Sequence, residues 1–186
     1  MTKAPAGRAE RDADMFRKAR AEDIARISEI YGEILSEEEA GRASIGWVRG
    51  VYPTRRTAED GVRSGHMFVE EDGGRIVAAA KLNQLQEPAY ALARWRWDAP
   101  ADQVMVLHTL VVSPEAGGAG YGTRFVDFYE QYALAHGCRY LRMDTNEKNV
   151  RARALYKRLG YAEAGVVPTV FNGIRDVRLV CLEKKV

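Results

Sequence analysis

The segment that most restricts the fold of this chain is a run of branched apolar residues followed by closely spaced glycines. Residues 104–112 read VMVLHTLVV, and a Ser-Pro pair ends the run. Such a run predicts a buried β-strand. Three alternating glycines then precede a helical pattern: Gly118, Gly120 and Gly122. Because glycine lets the backbone approach a ligand and a helix N-terminus favours anions, this loop is a candidate phosphate or pyrophosphate site.

The spacing excludes one known phosphate loop and leaves another open. A Walker A loop requires Lys followed by Ser or Thr, but Thr123 and Arg124 follow Gly122. A dinucleotide-binding loop remains an alternative, with Thr123 where its third glycine belongs and a gap of six residues after the strand. In that alternative Asp144 occupies the position of the ribose-binding acid, and the chain is an oxidoreductase.

Charge and length limit the classes of protein to consider. The 186 residues include 28 Lys plus Arg and 26 Asp plus Glu, for a net charge of +2. This near balance predicts no nucleic-acid partner, since nucleic-acid-binding domains usually carry a clustered basic excess. A chain of this length buries roughly two-thirds of its unfolded surface. We expect a disordered leader over residues 1–14 and a single domain over residues 15–186.

Cysteine, histidine and hydropathy patterns predict a location and the absence of a metal. Two cysteines and three histidines are spread along the chain, which provides neither a disulfide framework nor a metal site. Cys138 and Cys181 are therefore expected to be buried structural thiols. No run approaches the roughly 18 apolar residues of a membrane span. We expect no metal, no membrane association and a cytoplasmic location.

Periodicity predicts seven strands and four helices in the order β-α-α-β-β-β-α-β-α-β-β. The first helix carries an apolar stripe formed by Ile24, Ile27, Tyr31, Ile34 and Leu35. Residues 36–53 are predicted to be a loop, residues 86–103 a surface excursion, and Asn146 the cap of the last helix. This order predicts an α/β fold of mixed α+β type, one mixed sheet with helices on its faces.

Two segments resemble the GCN5-related N-acetyltransferase (GNAT) family. Val112, Ser113 and Pro114 with the three glycines resemble its V-x-P…G-x-G-x-G segment, and residues 149–161 resemble its N-x-x-A-x-x-L-Y-x-x-L-G-[FY] segment. The pair covers residues 104–161, and the element order extends the likeness to residues 15–185. The resemblance implies a GNAT-like fold, with a central, mostly antiparallel sheet of about seven strands and about four flanking helices, and acetyl-CoA as cosubstrate.

By this resemblance, the glycine loop holds the pyrophosphate of acetyl-CoA, and the preceding strand and the last helix hold its pantetheine arm. The residues implied are Leu110, Val111, Val112, Gly117, Gly118, Ala119, Gly120, Tyr121, Gly122, Thr123, Asn149 and Ala152. Gly117 stands where the family usually has Arg or Gln, so one side-chain contact to phosphate is lost. Asn149 and Tyr156 are seven residues apart, which on a helix places them about 10 Å apart on one side. That spacing suits an extended arm.

The resemblance and the chemistry of amines suggest two catalytic residues. Tyr156 corresponds to the family's general acid, which donates a proton to the departing sulfur. An alkyl ammonium costs about 4 kcal/mol to deprotonate at neutral pH, so a base is useful. His108 is the candidate base, because strand alternation predicts that it shares a face with Leu110 and Val112. Many family members carry a glutamate at the aligned position.

The resulting prediction is an enzyme that transfers an acetyl group from acetyl-CoA to an amine by direct attack on the thioester. The acceptor is a primary amine of a small molecule or an exposed terminal amine. Glu37, Glu38 and Glu39, together with Trp47, Tyr52, Trp95 and Trp97, are predicted to shape its site. A non-catalytic acyl-CoA-binding or sensing domain remains an alternative. Because family members are often dimers, a homodimer is the assembly to test.

Overall fold

A seven-stranded sheet with helices on both faces organises residues 15–186, the part of the chain that the computed structural model describes. The expected leader, residues 1–14, lies outside the described residues. The strands are β1 (Phe16–Lys18), β2 (Met67–Asp72), β3 (Arg75–Asn83), β4 (Val104–Val112), β5 (Tyr140–Asn146), β6 (Ala162–Phe171) and β7 (Ile174–Lys185). The helices are α1 (Ile24–Glu39), α2 (Arg55–Arg63), α3 (Tyr121–Ala135) and α4 (Val150–Arg158). The mixed α+β prediction is confirmed.

The sheet has one parallel strand pair, and that pair opens at one end. The strand order is β1-β2-β3-β4-β5-β7-β6, in which β4 and β5 are parallel and all other neighbours are antiparallel. The β4–β5 ladder runs from Val104↔Tyr140 to Leu107↔Met143 and stops there. Both strands continue beyond this point, so they diverge and leave a cleft between them.

Each face of the sheet has its own core. On one face α3 and α4 pack through residues such as Phe125, Tyr129 and Tyr156. On the other face α1 packs through Ile27 and Ile30 against the inner strands. The apolar stripe predicted for α1 is thus buried, and the cleft between β4 and β5 connects the two faces.

A β-bulge in β4 changes which side chains share a face. The β3–β4 register shifts between Ala79 and Lys81, and Thr109 adopts a left-handed conformation with φ of +54°. Leu107 and Leu110 consequently pack in the same core although three positions separate them. The prediction that His108 shares a face with Leu110 is wrong, because simple alternation does not hold across the bulge.

Residues 86–103 cover the sheet and do more than the predicted surface excursion. Short 3₁₀ helices span Pro88–Leu92 and Ala101–Gln103, and Tyr90 is only 2% exposed. Tyr90 packs with Val104, Val106 and Leu179 in a third core cluster. Buried aromatic anchors compensate for the lack of periodicity here, which is why the sequence pattern did not reveal this packing.

Several smaller expectations have direct outcomes. Cys138 and Cys181 are free and buried, as predicted. Asn149, not Asn146, caps α4: its side chain accepts a hydrogen bond from the Ala152 amide at 3.1 Å. Over residues 15–186, no helix is long and apolar enough to cross a membrane. Within the same residues, no group of three or more His, Cys, Asp or Glu side chains is arranged to hold a metal ion.

Candidate active site

The glycine loop forms an open cradle at the start of α3. Gly118 and Gly120 have φ values of +85° and +84°, and Gly120 is the N-cap of α3. No protein atom lies within 4 Å of the position that a Cβ would take at either glycine. The left-handed conformations and the open space beside them explain why glycine is required here. The first amides of α3 have no intrahelical acceptor, so they can bind an anion.

A groove of about 850 Å³ runs from this loop along β4 and α4. Ten of the twelve predicted cofactor residues line it: Leu110, Val112, Gly117, Gly118, Gly120, Tyr121, Gly122, Thr123, Asn149 and Ala152. Gly122 lets the helices approach closely, since a Cβ there would lie 3.4 Å from Leu155 Cδ2. The structure therefore brings the two family-like segments together along one surface.

Two predicted cofactor residues lie elsewhere. Val111 is 1% exposed, and its side chain packs in the core beneath α1. The bulge and the alternation after it direct this side chain away from the groove. Ala119 is exposed and is not among the residues that line the groove. A side-chain role for Val111 is thus excluded, and its backbone remains part of the sheet through pairing with Ala79.

Basic residues line the groove opposite the glycine loop. Arg151 and Arg158 lie seven positions apart on α4, so about 10 Å separates them along one side of the helix. Sequence reasoning did not select them, because it sought the lost positive charge at Gly117 itself. Their positions show that the groove carries positive charge on its helical wall even though the loop carries none.

A second cavity occupies the cleft between β4 and β5. Its volume is about 90 Å³, and it meets the groove at four residues that line both: Leu110, Asn149, Ala152 and Tyr156. Trp47, Tyr52 and Phe171 form an aromatic wall, with ring centroids 5.9 Å apart for Trp47–Tyr52 and 5.6 Å for Tyr52–Phe171. Tyr52 also hydrogen-bonds to Thr109 at the bulge.

Two short segments form the roof of this cavity. Gly46, in the segment after α1, sits against the Asn146 side chain so closely that a Cβ would lie 2.3 Å from Nδ2. At the turn between β6 and β7, a Cβ on Gly173 would lie 3.3 Å from Val51 Cγ1. The roof is therefore in direct contact with both neighbouring strands and with itself.

The acidic run after α1 anchors this roof instead of facing the cavity. Glu38 accepts hydrogen bonds from the backbone amides of Ile45 and Gly46, the second at 3.0 Å. Glu37 and Glu39 pair with arginines of the same segment, Arg42 and Arg49. The prediction that the run shapes the acceptor site holds only in this indirect sense, because no member lines the cavity.

The predicted aromatic walls divide into two pairs. Trp47 and Tyr52 line the cavity, as expected. Trp95 instead packs on Tyr90, and the guanidinium of Arg142 lies 4.1 Å from its ring centroid. Trp97 lies beside Tyr140 at the far end of β5. The expectation for Trp95 and Trp97 is therefore wrong, because residues 86–103 cover the sheet away from the cleft.

Asp144 is the charged residue that lines the cavity. It follows the last β5 residue paired with β4, and its Oδ2 accepts a hydrogen bond from the Tyr90 hydroxyl at 2.7 Å. Burial raises the pKa of Asp144 to about 7, the Tyr90 hydrogen bond lowers it, and the Glu87 carboxylate raises it further. Sequence reasoning considered this residue only as a ribose-binding acid.

Tyr156 stands where the groove and the cavity meet. It is 7% exposed, and its ring packs in the core beneath α3. Burial raises the pKa of its hydroxyl above the usual value, and the negative charge of Asp144 adds to this effect. The phenol therefore keeps its proton at neutral pH.

His108 is engaged on the other side of β4. Asn83 Oδ1 accepts a hydrogen bond from the Leu85 amide at 2.9 Å, which fixes this atom as an acceptor. His108 Nε2, 3.0 Å from the same oxygen, must then be the donor. Its Nδ1 lies 3.4 Å from Glu87 Oε1, and the hydrogen bond to His108 lowers the pKa of Glu87. The structure thus brings His108 to Glu87 and not to the cavity that Tyr156 lines.

Comparison with known proteins defines the class of this protein. Residues 27–161 match the model of the acetyltransferase (GNAT) family. The chain belongs to this family and is an N-acetyltransferase. The resemblance seen in the sequence is confirmed, and the oxidoreductase alternative fails because the sheet and both motifs follow the acetyltransferase pattern.

Solved structures show the same fold. A GNAT-family acetyltransferase from Streptococcus agalactiae 2603 is 24% identical, with 92% of this chain and 94% of that chain covered and a TM-score of 0.77. A GCN5-related N-acetyltransferase from Kribbella flavida is 21% identical, with coverage of 92% and 96% and a TM-score of 0.66. The acetyltransferase yncA from Salmonella typhimurium, solved with its cofactor acetyl-CoA, is 20% identical, with coverage of 91% and 92% and a TM-score of 0.63.

Proposed function

We propose that this protein transfers the acetyl group of acetyl-CoA to a primary amine that occupies the cavity between β4 and β5. The observation that carries the proposal is the junction of the two spaces. Leu110, Asn149, Ala152 and Tyr156 line both the groove and the cavity. A molecule held along the groove therefore ends where a second molecule in the cavity begins, as group transfer requires.

The groove suits the chemistry of acetyl-CoA. The open glycine cradle and the first amides of α3 fit a pyrophosphate, and the arginines of α4 provide positive charge nearby. The Asn149 carbonyl oxygen is occupied by the Ala152 amide, so its NH₂ group is available to an acceptor on the pantetheine arm. When bound, acetyl-CoA supplies the acetyl group as a reactive thioester.

Two side chains at the junction are placed to handle protons. Tyr156 retains its hydroxyl proton and can donate it toward the departing sulfur. Since a thiol has a pKa of about 8.5, a hydrogen bond in the transition state describes this role better than complete transfer. Asp144, with a pKa of about 7, can accept the proton that an ammonium must lose. In this proposal Asp144 replaces His108 as the base.

Turnover with a panel of primary amines tests the proposal. We expect acetyl-CoA and an accepted amine to give free CoA and an acetylated product identified by mass spectrometry, with much slower release without amine. Tight CoA binding without amine-dependent release from any acceptor would refute the proposal and favour the acyl-CoA-sensing alternative. Analytical ultracentrifugation tests the homodimer separately.

A further inference from the structure

The charge of the cavity is one-sided. Asp144 is acidic, and among the described residues that line the cavity none is Lys, Arg or His. A ligand that carries both an ammonium and a carboxylate would meet a partner for the first group and none for the second. A buried charge without a partner is unfavourable.

Basic residues on the elements around the cavity are occupied elsewhere. Arg49, in the roof segment, pairs with Glu39. Arg178, on β7, pairs with Glu147. Arg142, on β5, donates to Gln86 and to the Trp97 carbonyl oxygen, behind Asp144 as seen from the cavity. A carboxylate in the cavity would therefore have to break an existing contact to gain a counter-charge from these residues.

The aromatic wall is suited to the rest of such a ligand. The rings of Trp47, Tyr52 and Phe171 are joined by two edge-to-face contacts, so they present one continuous apolar surface. Aromatic faces attract ammonium groups and pack well against apolar or aromatic groups. The wall and Asp144 thus favour an amine attached to an apolar body.

The size of the cavity favours a small molecule over a peptide. Its volume is about a tenth of that of the neighbouring groove, 90 Å³ against 850 Å³. Gly46 closes one end of the roof against Asn146, and Gly173 closes the other against Val51. Both contacts are too close for an extended main chain to pass between them.

Building on the proposed function, we propose that the acceptor is a small primary amine on an apolar or aromatic body, without a carboxylate on the carbon that carries the amine. Arylalkylamines and alkylamines belong to this class, and free α-amino acids do not. In an α-amino acid the carboxylate lies a few ångströms from the nitrogen, so it would be held close to Asp144. Repulsion at such a distance corresponds to a loss on the order of 10- to 1000-fold in kcat/KM.

Matched acceptors that differ in one group test this proposal with the full-length enzyme. The pairs are phenethylamine with phenylalanine and tryptamine with tryptophan, and phenylalaninamide keeps the carbon skeleton but removes the charge. We expect both amines and the amide to be acetylated, and both amino acids to show kcat/KM lower by at least roughly 10-fold. Equal or better turnover of the amino acids would overturn the proposal. Faster turnover of an alanine-initiated, C-terminally amidated peptide than of any small amine would also overturn it.

A binding measurement separates this proposal from the proposed function. Each acceptor is titrated into enzyme saturated with CoA, which needs no turnover. Binding of phenethylamine but not of phenylalanine, without any acetylation, would leave the cavity assignment standing while the proposed function failed. Absence of binding by all the amines would refute the cavity assignment itself.

Two substitutions connect the selectivity to the named residues. Asp144→Asn is expected to narrow the ratio of amine to amino-acid binding in the CoA complex, a readout that does not depend on its rate. Trp47→Ala is expected to raise KM for the arylalkylamines. Trp97→Ala, which removes a tryptophan outside the cavity, serves as the matched control and should leave KM unchanged. An unchanged binding ratio in Asp144→Asn would exclude Asp144 as the selecting charge.

Discussion

Tyr90 donates its hydroxyl hydrogen bond to Asp144 Oδ2 across 2.7 Å, although 54 positions separate the two residues in the sequence. This contact joins the covering segment, residues 86–103, to the strand that borders the cleft. It holds a carboxylate at the point where β4 and β5 diverge. A buried phenol therefore orients the acid that we propose as the base.

Asp144→Asn is expected to stabilise the fold at neutral and alkaline pH while reducing activity. The folded pKa of about 7 lies above the ordinary value of 3.8, so the folded state binds more protons between these values. The contribution of Asp144 to stability therefore falls as pH rises through this window. The melting temperature of the variant should exceed that of the wild type by roughly a few degrees at pH 8, and by much less at pH 4.5. We expect kcat to fall roughly 100-fold or more.

Thermal melts of both proteins across this pH range measure the effect. A constant difference in melting temperature at every pH would contradict the assignment of a raised pKa to Asp144.

Tyr156→Phe should separate chemistry from binding. We expect CoA affinity to remain nearly intact and kcat to fall roughly 100-fold, the scale of a lost proton donor. Calorimetric titration with CoA and steady-state rates provide the two readouts. A parallel loss of CoA affinity and rate would identify Tyr156 as a structural residue of the core beneath α3.

Gly120→Val tests the cradle against a glycine of similar conformation. Gly137, just beyond α3, has a φ of +76° and the same open surroundings but lies outside the groove. Valine at either position should cost roughly 1–2 kcal/mol of stability. CoA should raise the melting temperature of the wild type and of Gly137→Val by mass action, but not that of Gly120→Val. Wild-type CoA affinity in Gly120→Val would show that the loop is not the phosphate site.

Removal of Arg151 and Arg158 together should weaken CoA binding roughly 10-fold at low salt, because charge-assisted contacts to phosphate are lost. The deficit should shrink at high ionic strength, where screening weakens the wild type as well. Arg139→Ala, at the start of β5 and outside the groove, is the control and should bind normally. Equal affinity of the double variant and the wild type would leave the lost contact at Gly117 uncompensated.

Glu38→Ala should affect the acceptor and spare the cofactor. Glu38 holds two backbone amides of the roof, and hydrogen bonds to a charged group contribute roughly 1.5–3 kcal/mol each. We expect KM for the amine to rise several-fold, about 3 to 10, with little change in CoA affinity. Glu39→Ala removes only an exposed ion pair with Arg49 and should change neither value. Matching effects in both variants would point to bulk charge and not to the anchoring of the roof.

The elements and the cofactor groove could be predicted from the sequence because local patterns encode them. Alternating and helical periods determine strands and helices, and glycine at a positive φ leaves a direct mark in the loop at Gly118 and Gly120. The position of His108 could not be predicted, because the bulge depends on a threonine, Thr109, which carries no turn signal. Asp144 was equally hidden, since its environment depends on Tyr90 from a segment without periodicity.

The construction of the roof has a practical consequence for changing what this enzyme acetylates. The roof comes from two short stretches, residues 45–52 and 171–174, whereas the groove is built from β4, α3 and α4. A combinatorial library confined to those dozen positions would vary the acceptor while every selected clone could still be purified on one CoA affinity resin. Selection for new substrates could then proceed without re-optimising the half of the catalyst that supplies the acetyl group.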